Sequence, residues 1–254
     1  MGSLLAAVAP AAMVVVVVAV LVVVSSGSGA AGQLDIGYYN KTCPAVEQIV
    51  RAETTRIVSA SPDLAAALLR LHYHDCFVQG CDASVLLDST AGATAEKDAK
   101  PNGSLRGFDS VARVKDKLER ACPGVVSCAD ILALMARDAV ALSRGPSWPV
   151  ALGRTSSAAN CGELPPLQGD VNLMIQAFAA KGLDVKDLVA LLASDAALLQ
   201  DSLTGAYVPL MNNATYMDTT FFADFAVAMI NMGRVGVRTG TDGEIRATCG
   251  VYID

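Results

Sequence analysis

Helical spacing of apolar residues runs through nearly the whole chain after Gln33, and it limits the possible folds more than any other feature. Apolar side chains recur every three or four positions, which is typical of amphipathic helices. The predicted helical segments are Val46–Val58, Leu64–His74, Ser110–Ala121, Ala129–Leu142, Val171–Ala180, Val185–Gln200 and Phe221–Met232. The segment Gly153–Gly169 is predicted to be an irregular loop, and Gly233–Asp254 is predicted to be a polar tail. The sequence therefore predicts an all-α protein with no strand-rich region.

The N-terminal segment is typical of an export signal. Leu4 to Val24 is almost entirely apolar, and small residues follow it up to Ala30 and Gly32. This order predicts a signal peptide over residues 1–32, cleaved to leave Gln33 first, and one domain over residues 33–254. The alternative is a retained membrane anchor, because the apolar run is long enough to span a bilayer.

Charge and cysteine content narrow the class of protein further. The chain has 19 Lys and Arg against 25 Asp and Glu, a net charge of −6, and no basic run, which argues against a nucleic-acid partner. Seven cysteines in an exported chain favour disulfides over zinc and leave one cysteine over. Asn40, Asn102 and Asn213 each begin a glycosylation sequon, which suits secretion.

Both histidines of the chain, His72 and His74, lie in the short stretch Leu68–Leu87. Arg70 and His74 are four residues apart and share a helix face, whereas His72 points to roughly the opposite side. The two imidazoles therefore cannot bind one metal ion together. An Arg–His pair on one face can move a proton and stabilise developing negative charge. The alternative is that both histidines are ordinary packed residues.

The segment after His74 is rich in oxygen ligands and contains Cys76 and Cys81. Its oxygen-bearing groups are Asp75, Asp82, Ser84 and the backbone carbonyls of Val78 and Gly80. Hard oxygen ligands at this density suit Ca²⁺ better than zinc. A disulfide-tied turn with solvated acids explains the spacing equally well.

These residues and several later motifs resemble the secretory plant (class III) haem peroxidases. The motifs are LLRLHYHDCFVQGCDASVLLD, CPGVVSCADILALMARD and GPSWPVALGR before Leu191, then FFADFAVAMINMG and TGTDGEIRATC. The resemblance implies the plant haem-peroxidase fold with haem b and Ca²⁺. It implies a monomer that reduces hydrogen peroxide and oxidises phenolic donors, secreted to the apoplast or sent to the vacuole, and outside the membrane once the signal is cleaved.

The same resemblance implies roles for individual residues. The implied catalytic residues are Arg70, His74 and Asn102, with Asn102 hydrogen-bonded to the imidazole of His74. Pro165 is implied to line the entrance for the donor substrate. The implied calcium ligands are Asp75, Val78, Gly80, Asp82 and Ser84, with Glu96 acting through water. The implied disulfides are Cys43–Cys122, Cys76–Cys81 and Cys128–Cys249, one of the fifteen pairings that six cysteines allow.

The chain departs from the family at the proximal haem ligand. The family's proximal histidine follows a stretch like Asp187–Leu191, but here Leu192 begins a segment that resembles a much later helix. An internal deletion near 191–192 would remove that histidine, the second calcium site and one disulfide. The haem would then have no axial ligand, since Asp195 and Cys161 are poor substitutes.

The fold is accordingly expected to be truncated in its proximal half. Activity of this chain is then doubtful, and the alternative function is that of an inactive, secreted, calcium-binding remnant or splice product. A smaller departure is Tyr73, which stands where the family usually has Phe.

Overall fold

Helices dominate the computed structural model, which describes residues 33–157, 170–192, 198, 204 and 220–251. The α-helices in these ranges are α1 (Val46–Ala60), α2 (Leu64–Val78), α3 (Phe108–Ala121), α4 (Cys128–Leu142), α5 (Val171–Ala179), α6 (Val185–Leu191) and α7 (Phe222–Met232). Three short 3₁₀ turns, Ser84–Leu86, Glu96–Asp98 and Lys100–Asn102, lie between α2 and α3. The all-α prediction is confirmed.

Helix α4 is the centre of the core, and α1, α2 and α3 pack against it. Its sequence is mainly apolar, and every position from Cys128 to Ala139 is buried. Such a helix is stable only when neighbours cover it on all sides. Ser127 is the N-cap of α4, since its hydroxyl accepts a hydrogen bond of 3.1 Å from the Asp130 amide.

A buried carboxylate ties α4 to the segment that follows it. Asp130 is fully buried and accepts hydrogen bonds from the Tyr39 hydroxyl and from the Gly153 amide, each at 2.8 Å. The Arg154 guanidinium pairs with the same carboxylate at 2.8 Å and donates to the Gly233 carbonyl at 2.5 Å. Asp130 therefore connects α4 to the residue that follows α7.

The prediction that Gly153–Gly169 is an irregular loop is wrong at one point, where it pairs with the predicted polar tail. Strands β1 (Arg154–Thr155) and β2 (Arg238–Thr239) pair antiparallel, with Arg154 opposite Thr239. A two-residue strand is too short to produce a readable alternation of apolar and polar residues, so the sequence did not reveal it.

The prediction of one helix over Val185–Gln200 is also wrong in its extent. Helix α6 begins with a capping box between Asp184 and Asp187 and ends at Leu191. The backbone dihedral angles of Leu192 are no longer helical. The high helix propensity of Ala and Leu after Leu191 extended the predicted helix beyond its observed end. Most positions from 193 to 219, including Asp195, lie outside the described residues.

Three disulfides hold the described part of the chain together. They are Cys43–Cys122, Cys76–Cys81 and Cys128–Cys249. The first joins the chain before α1 to the end of α3, and the third joins the start of α4 to the C-terminal segment. These are the pairs implied by the resemblance. Cys161 lies outside the described residues, as do residues 1–32.

None of the described helices combines the length and the apolar character that crossing a bilayer requires.

Candidate functional site

A cavity of about 390 Å³ lies where α2, α6 and α7 meet. Its polar groups come from α2 and are Arg70, Tyr73 and His74. Ala66 and Leu69 of α2 add apolar surface, and the facing wall is formed by Leu191, Leu192, Phe225, Met229 and Met232. The volume falls in the range of small-molecule sites, about 300–1,000 Å³. One helix therefore supplies the polar chemistry, and α6 and α7 supply an apolar surface.

His74 is held in one tautomer by its two neighbours. Its Nδ1 lies 2.7 Å from Asn102 Oδ1, and the Asn102 amide nitrogen donates to the Glu96 carbonyl at 2.8 Å. Because that amide is oriented by Glu96, Oδ1 faces His74 and Nδ1 must carry the proton. Arg70 Nε donates to His74 Nε2 at 3.3 Å. The unprotonated nitrogen of His74 is therefore Nε2.

The electrostatics of the site keep His74 neutral. The residue is only 4% exposed, and burial lowers the pKa of its imidazole, although the bond to Asn102 opposes this and the Arg70 charge adds to it. Arg70 lies at the exposed mouth of the cavity, where its guanidinium also donates to the Ser104 hydroxyl at 3.1 Å. A neutral base thus lies next to a fixed cation.

His72 lies on the other side of α2, as predicted, and takes no part in the cavity. It is buried, with its Nδ1 3.7 Å from the sulfur of Cys76. Burial, with the nearby Arg154 charge, lowers the pKa of His72 to about 3. The sulfurs of Cys76 and Cys81 are close enough to His72 to suggest a metal site, but they are bonded to each other and offer no thiolate.

The predicted calcium loop brings three buried acids together. Asp75 is fully buried, and Asp82 and Glu96 are at most 3% exposed. Neither oxygen of Asp75 has a hydrogen-bond partner, and burial together with the Asp82 charge raises its pKa well above the ordinary value. Burial raises the pKa of Glu96 to about 7. The interpretation of these acids as solvated is therefore wrong.

Two hydrogen bonds from Ser84 shape the acidic cluster, which is defined as Asp75, Asp82 and Glu96. The Ser84 amide donates to Asp82 at 3.0 Å, and the Ser84 hydroxyl donates to Glu96 at 3.0 Å. Ser84 thus joins two of the three acids. A buried carboxylate such as that of Asp75, whose oxygens have no hydrogen-bond partner, suits a hard divalent cation such as Ca²⁺.

The two backbone carbonyls that were predicted to bind calcium each accept a hydrogen bond, and the donors differ. The Val78 carbonyl accepts a hydrogen bond of 3.3 Å from the Lys181 ammonium, and the Gly80 carbonyl accepts one of 2.8 Å from the Asp82 amide. Gly80 has a φ of +142°, and a Cβ there would lie 2.2 Å from the Gly236 carbonyl oxygen. Only glycine fits this contact, which fixes the loop against the segment after α7.

Cations near the acidic cluster were missed by the sequence analysis. Arg238 lies 3.6 Å from Asp82, and the fully buried Arg246 donates to the Ala83 carbonyl at 2.7 Å. Both come from the C-terminal segment, at least 142 residues from the acids in sequence. No local motif signals such a pairing. The predicted substrate residue Pro165 lies outside the described residues.

Comparison with known proteins agrees with this geometry. A family model described as Peroxidase matches residues 50–197. Peroxidase 1 of Oryza sativa subsp. japonica is 41% identical over 306 residues, covering 87% of this chain and 94% of the relative. Peroxidase 39 of Arabidopsis thaliana is 33% identical, covering 85% and 92%. The chain belongs to the class III peroxidase family.

The alignment to the rice relative also bears on the length of this peroxidase. It runs over 306 residues, whereas the whole chain has 254, so the relative has residues within the aligned region that this chain lacks. The crystal structure of the TL29 protein from Arabidopsis thaliana is similar, with a TM-score of 0.60. It covers 79% of this chain and 96% of that one at 18% identity, which shows the fold alone.

Tyr73 differs from the family pattern and carries an unsatisfied hydroxyl. The ring is buried and stacks on Phe77 with centroids 4.2 Å apart, but the hydroxyl has no hydrogen-bond partner. Replacing Tyr73 with Phe keeps the stacking and removes that group. We expect Tyr73→Phe to raise the free energy of unfolding by about 1 kcal/mol, measured as a higher urea midpoint at unchanged m-value.

Tyr39→Phe is the matched control for that substitution. The Tyr39 hydroxyl donates to Asp130 at 2.8 Å, so its removal leaves a buried acceptor short of a partner. This control should lower the urea midpoint. If Tyr73→Phe also lowers the midpoint, the Tyr73 hydroxyl has a stabilising partner and this assignment fails.

Proposed function

We propose that this peroxidase-family chain retains the hydrogen-peroxide side of the catalytic machinery and a calcium site, but sustains little or no peroxidase turnover. The observation that carries the proposal is the arrangement of His74. It is buried, neutral and held by Asn102 with Nε2 unprotonated beside Arg70. Both imidazoles of the chain are on α2, so none is left for the wall formed by α6 and α7.

The proposed roles of α2 follow from this geometry. His74 Nε2 is the base positioned to accept a proton from hydrogen peroxide, which leaves the hydroperoxide anion. Arg70 stabilises the negative charge that develops as the peroxide proton leaves. Asn102 does not touch the peroxide and acts as a positioning residue, because it fixes the tautomer and the ring plane of His74.

Haem does not fit this cavity in the way that the family resemblance implies. In the family, haem supplies the redox chemistry and its iron is held by an imidazole opposite the acid–base pair. Here the described residues of the facing wall are Leu, Phe and Met, none of which is a nitrogen donor. We therefore assign no redox step to this chain.

The proposed calcium site rests on the acidic cluster. Asp75 and Asp82 are the proposed charged ligands, with Ser84 and the carbonyls of Val78 and Gly80 completing the set and Glu96 acting through water. Support comes from the two unpartnered oxygens of Asp75 and from the raised pKa of Glu96. A divalent cation would offset the repulsion among these acids.

Peroxidase turnover provides the direct test. We expect the purified chain with added haemin to oxidise guaiacol with hydrogen peroxide no faster than haemin alone. The reason is that the described residues of the wall facing His74 include no imidazole to hold the iron. His74→Ala should then leave the rate unchanged. Turnover above the haemin level that falls about 10²–10⁴-fold in His74→Ala would contradict the proposal and favour an active enzyme.

The remaining expectations concern context. Family membership supports export, with residues 1–32 as a cleaved signal, location in the apoplast or vacuole, and phenolic donors near Pro165. N-terminal sequencing of the mature protein tests the signal, since Gln33 in first position excludes a retained anchor. Sequencing the transcript across Leu191 and Leu192 tests the proposed deletion junction.

A further inference from the structure

Arg70 is a cation without a carboxylate partner in the described part of the chain. Its side-chain partners there are neutral: Nε donates to His74 Nε2 at 3.3 Å, and one terminal nitrogen, Nη2, donates to the Ser104 hydroxyl at 3.1 Å. The other terminal nitrogen, Nη1, makes no hydrogen bond to a described residue. A guanidinium with free N–H groups at the mouth of an apolar cavity is suited to bind a carboxylate.

A second cavity, of about 260 Å³, lies beside the first where α2, α4 and α7 meet. The two cavities share Ala66, Leu69 and Phe225, of which Ala66 is exposed and the other two are half-buried, so they adjoin along the surface. Among the described residues that line the second cavity none is charged, and the one hydroxyl, that of Ser143, donates to the Ala139 carbonyl at 2.9 Å. The second cavity is therefore an apolar extension of the first.

The two cavities together form a groove between α2 and α7, called here the α2–α7 groove, and it has two unlike ends. The guanidinium of Arg70 lies at one end, beside His74 and Ser104. Ala65 and Pro146 lie at the other end, in the second cavity. Helix α2 rises about 13 Å from Ala65 to His74 at 1.5 Å per residue. A positive end and an apolar end are thus about 13 Å apart.

We propose that the α2–α7 groove binds a fatty-acid anion of medium chain length. The carboxylate pairs with Arg70, and the acyl chain passes Leu69 and Phe225 into the second cavity. An extended chain advances about 3.3–3.6 Å for every three bonds, so about twelve carbons span the groove. A short aromatic carboxylate would fill only the first cavity, and an uncharged chain would leave Arg70 unpaired. This proposal goes beyond the proposed function, because it involves neither haem nor hydrogen peroxide.

Isothermal titration calorimetry of the purified full chain with dodecanoate, below its micelle concentration and without haem, tests the binding. We expect one dodecanoate per chain. The affinity should fall about fourfold for each methylene removed in decanoate and octanoate, because each buried methylene contributes to the free energy of binding. Decanol, which lacks the charge, should bind at least about tenfold more weakly than decanoate. Cinnamate, a short aromatic carboxylate, should bind more weakly than dodecanoate.

Trp148, the only tryptophan of the chain, reports the direction of the acyl chain. The centroid of its ring lies 6.0 Å from that of Phe225, which lines both cavities. A bromine atom quenches tryptophan fluorescence only at short range. Dodecanoate brominated at its methyl end should therefore quench Trp148 more strongly than dodecanoate brominated next to the carboxylate. The opposite order, or equal quenching, would overturn the proposal.

Two variants separate the charge from the apolar groove. Arg70→Gln should weaken dodecanoate binding by at least about tenfold and leave decanol binding unchanged. Ala66→Trp places a large ring in the groove from an exposed position and should abolish binding of both. Arg113→Gln and Ala52→Trp are the matched controls, because they change exposed residues of α3 and α1 that line neither cavity. Both controls should bind dodecanoate as the unmodified chain does, with folding checked by circular dichroism.

Three further results would each overturn the proposal. They are dodecanoate binding that Arg70→Gln leaves unchanged, uptake that does not saturate at one molecule per chain, and cinnamate binding as tight as that of dodecanoate. Because these titrations contain no haem and no hydrogen peroxide, a negative result leaves the proposed function standing. The guaiacol assay decides the proposed function independently of fatty-acid binding.

Discussion

Adding Ca²⁺ to the metal-free protein is expected to raise its free energy of unfolding by about 4 kcal/mol when free Ca²⁺ is a thousand times the dissociation constant. The physical reason is the acidic cluster, where three buried carboxyl groups face one another and Asp75 has no hydrogen-bond partner. A bound cation supplies the missing partner and cancels the repulsion. Urea titrations at fixed calcium and in excess EGTA measure the difference.

The calcium effect should grow with pH because binding needs ionised acids. In the metal-free fold the pKa of Glu96 is raised from 4.5 to about 7, so its proton must leave before a cation is bound. A raised folded-state pKa also means that this group destabilises the metal-free fold as pH rises from about 4.5 toward 7. The calcium-induced stabilisation should therefore be larger at pH 8 than at pH 5.5.

Asp75→Asn tests whether the acidic cluster is the site. The amide keeps the shape of the side chain and removes one charge, so the metal-free variant should be at least as stable as the unmodified chain. The response to calcium should be largely lost. Asp116→Asn, on the exposed face of α3, is the matched control and should keep the full response. An unchanged calcium response in Asp75→Asn would place the cation elsewhere.

The sequence predicted the local parts of this site well and the distant parts poorly. Arg70 and His74 were placed together because a helix brings residues four apart onto one face. The tautomer of His74 depends on Asn102, which was identified only through the family resemblance. Nothing local to α2 indicates that Met232 would line the same cavity, because that contact depends on how α7 packs against α6.

Burial was the second property that the sequence could not supply. The spacing of Asp75 and Asp82 allowed solvated acids or a cation site equally well, and the distinction depends on segments far along the chain. Gly236 closes over Gly80, and Arg246 reaches the carbonyl of Ala83. These contacts bury the loop, and this burial is what supports the proposed cation site.

Asp130→Ala is expected to be the most destabilising single substitution considered, lowering the free energy of unfolding by about 3–5 kcal/mol. It leaves the Arg154 guanidinium, only 3% exposed, without its counter-charge in the interior. It also removes the acceptor of the Tyr39 hydroxyl and of the Gly153 amide. Chemical denaturation monitored by circular dichroism measures the loss.

The control for this prediction removes both charges together. Asp130→Leu combined with Arg154→Met replaces the buried ion pair by apolar groups and should recover much of the stability lost by Asp130→Ala, because no uncompensated charge remains. Arg154 also donates to the carbonyl of Gly233, the residue after Met232. The double variant should therefore be stable yet leave the end of α7 less well fixed, and Met232 should hold its position in the cavity less firmly. A double variant as unstable as Asp130→Ala would show that the hydrogen bonds, rather than the ion pair, carry the effect.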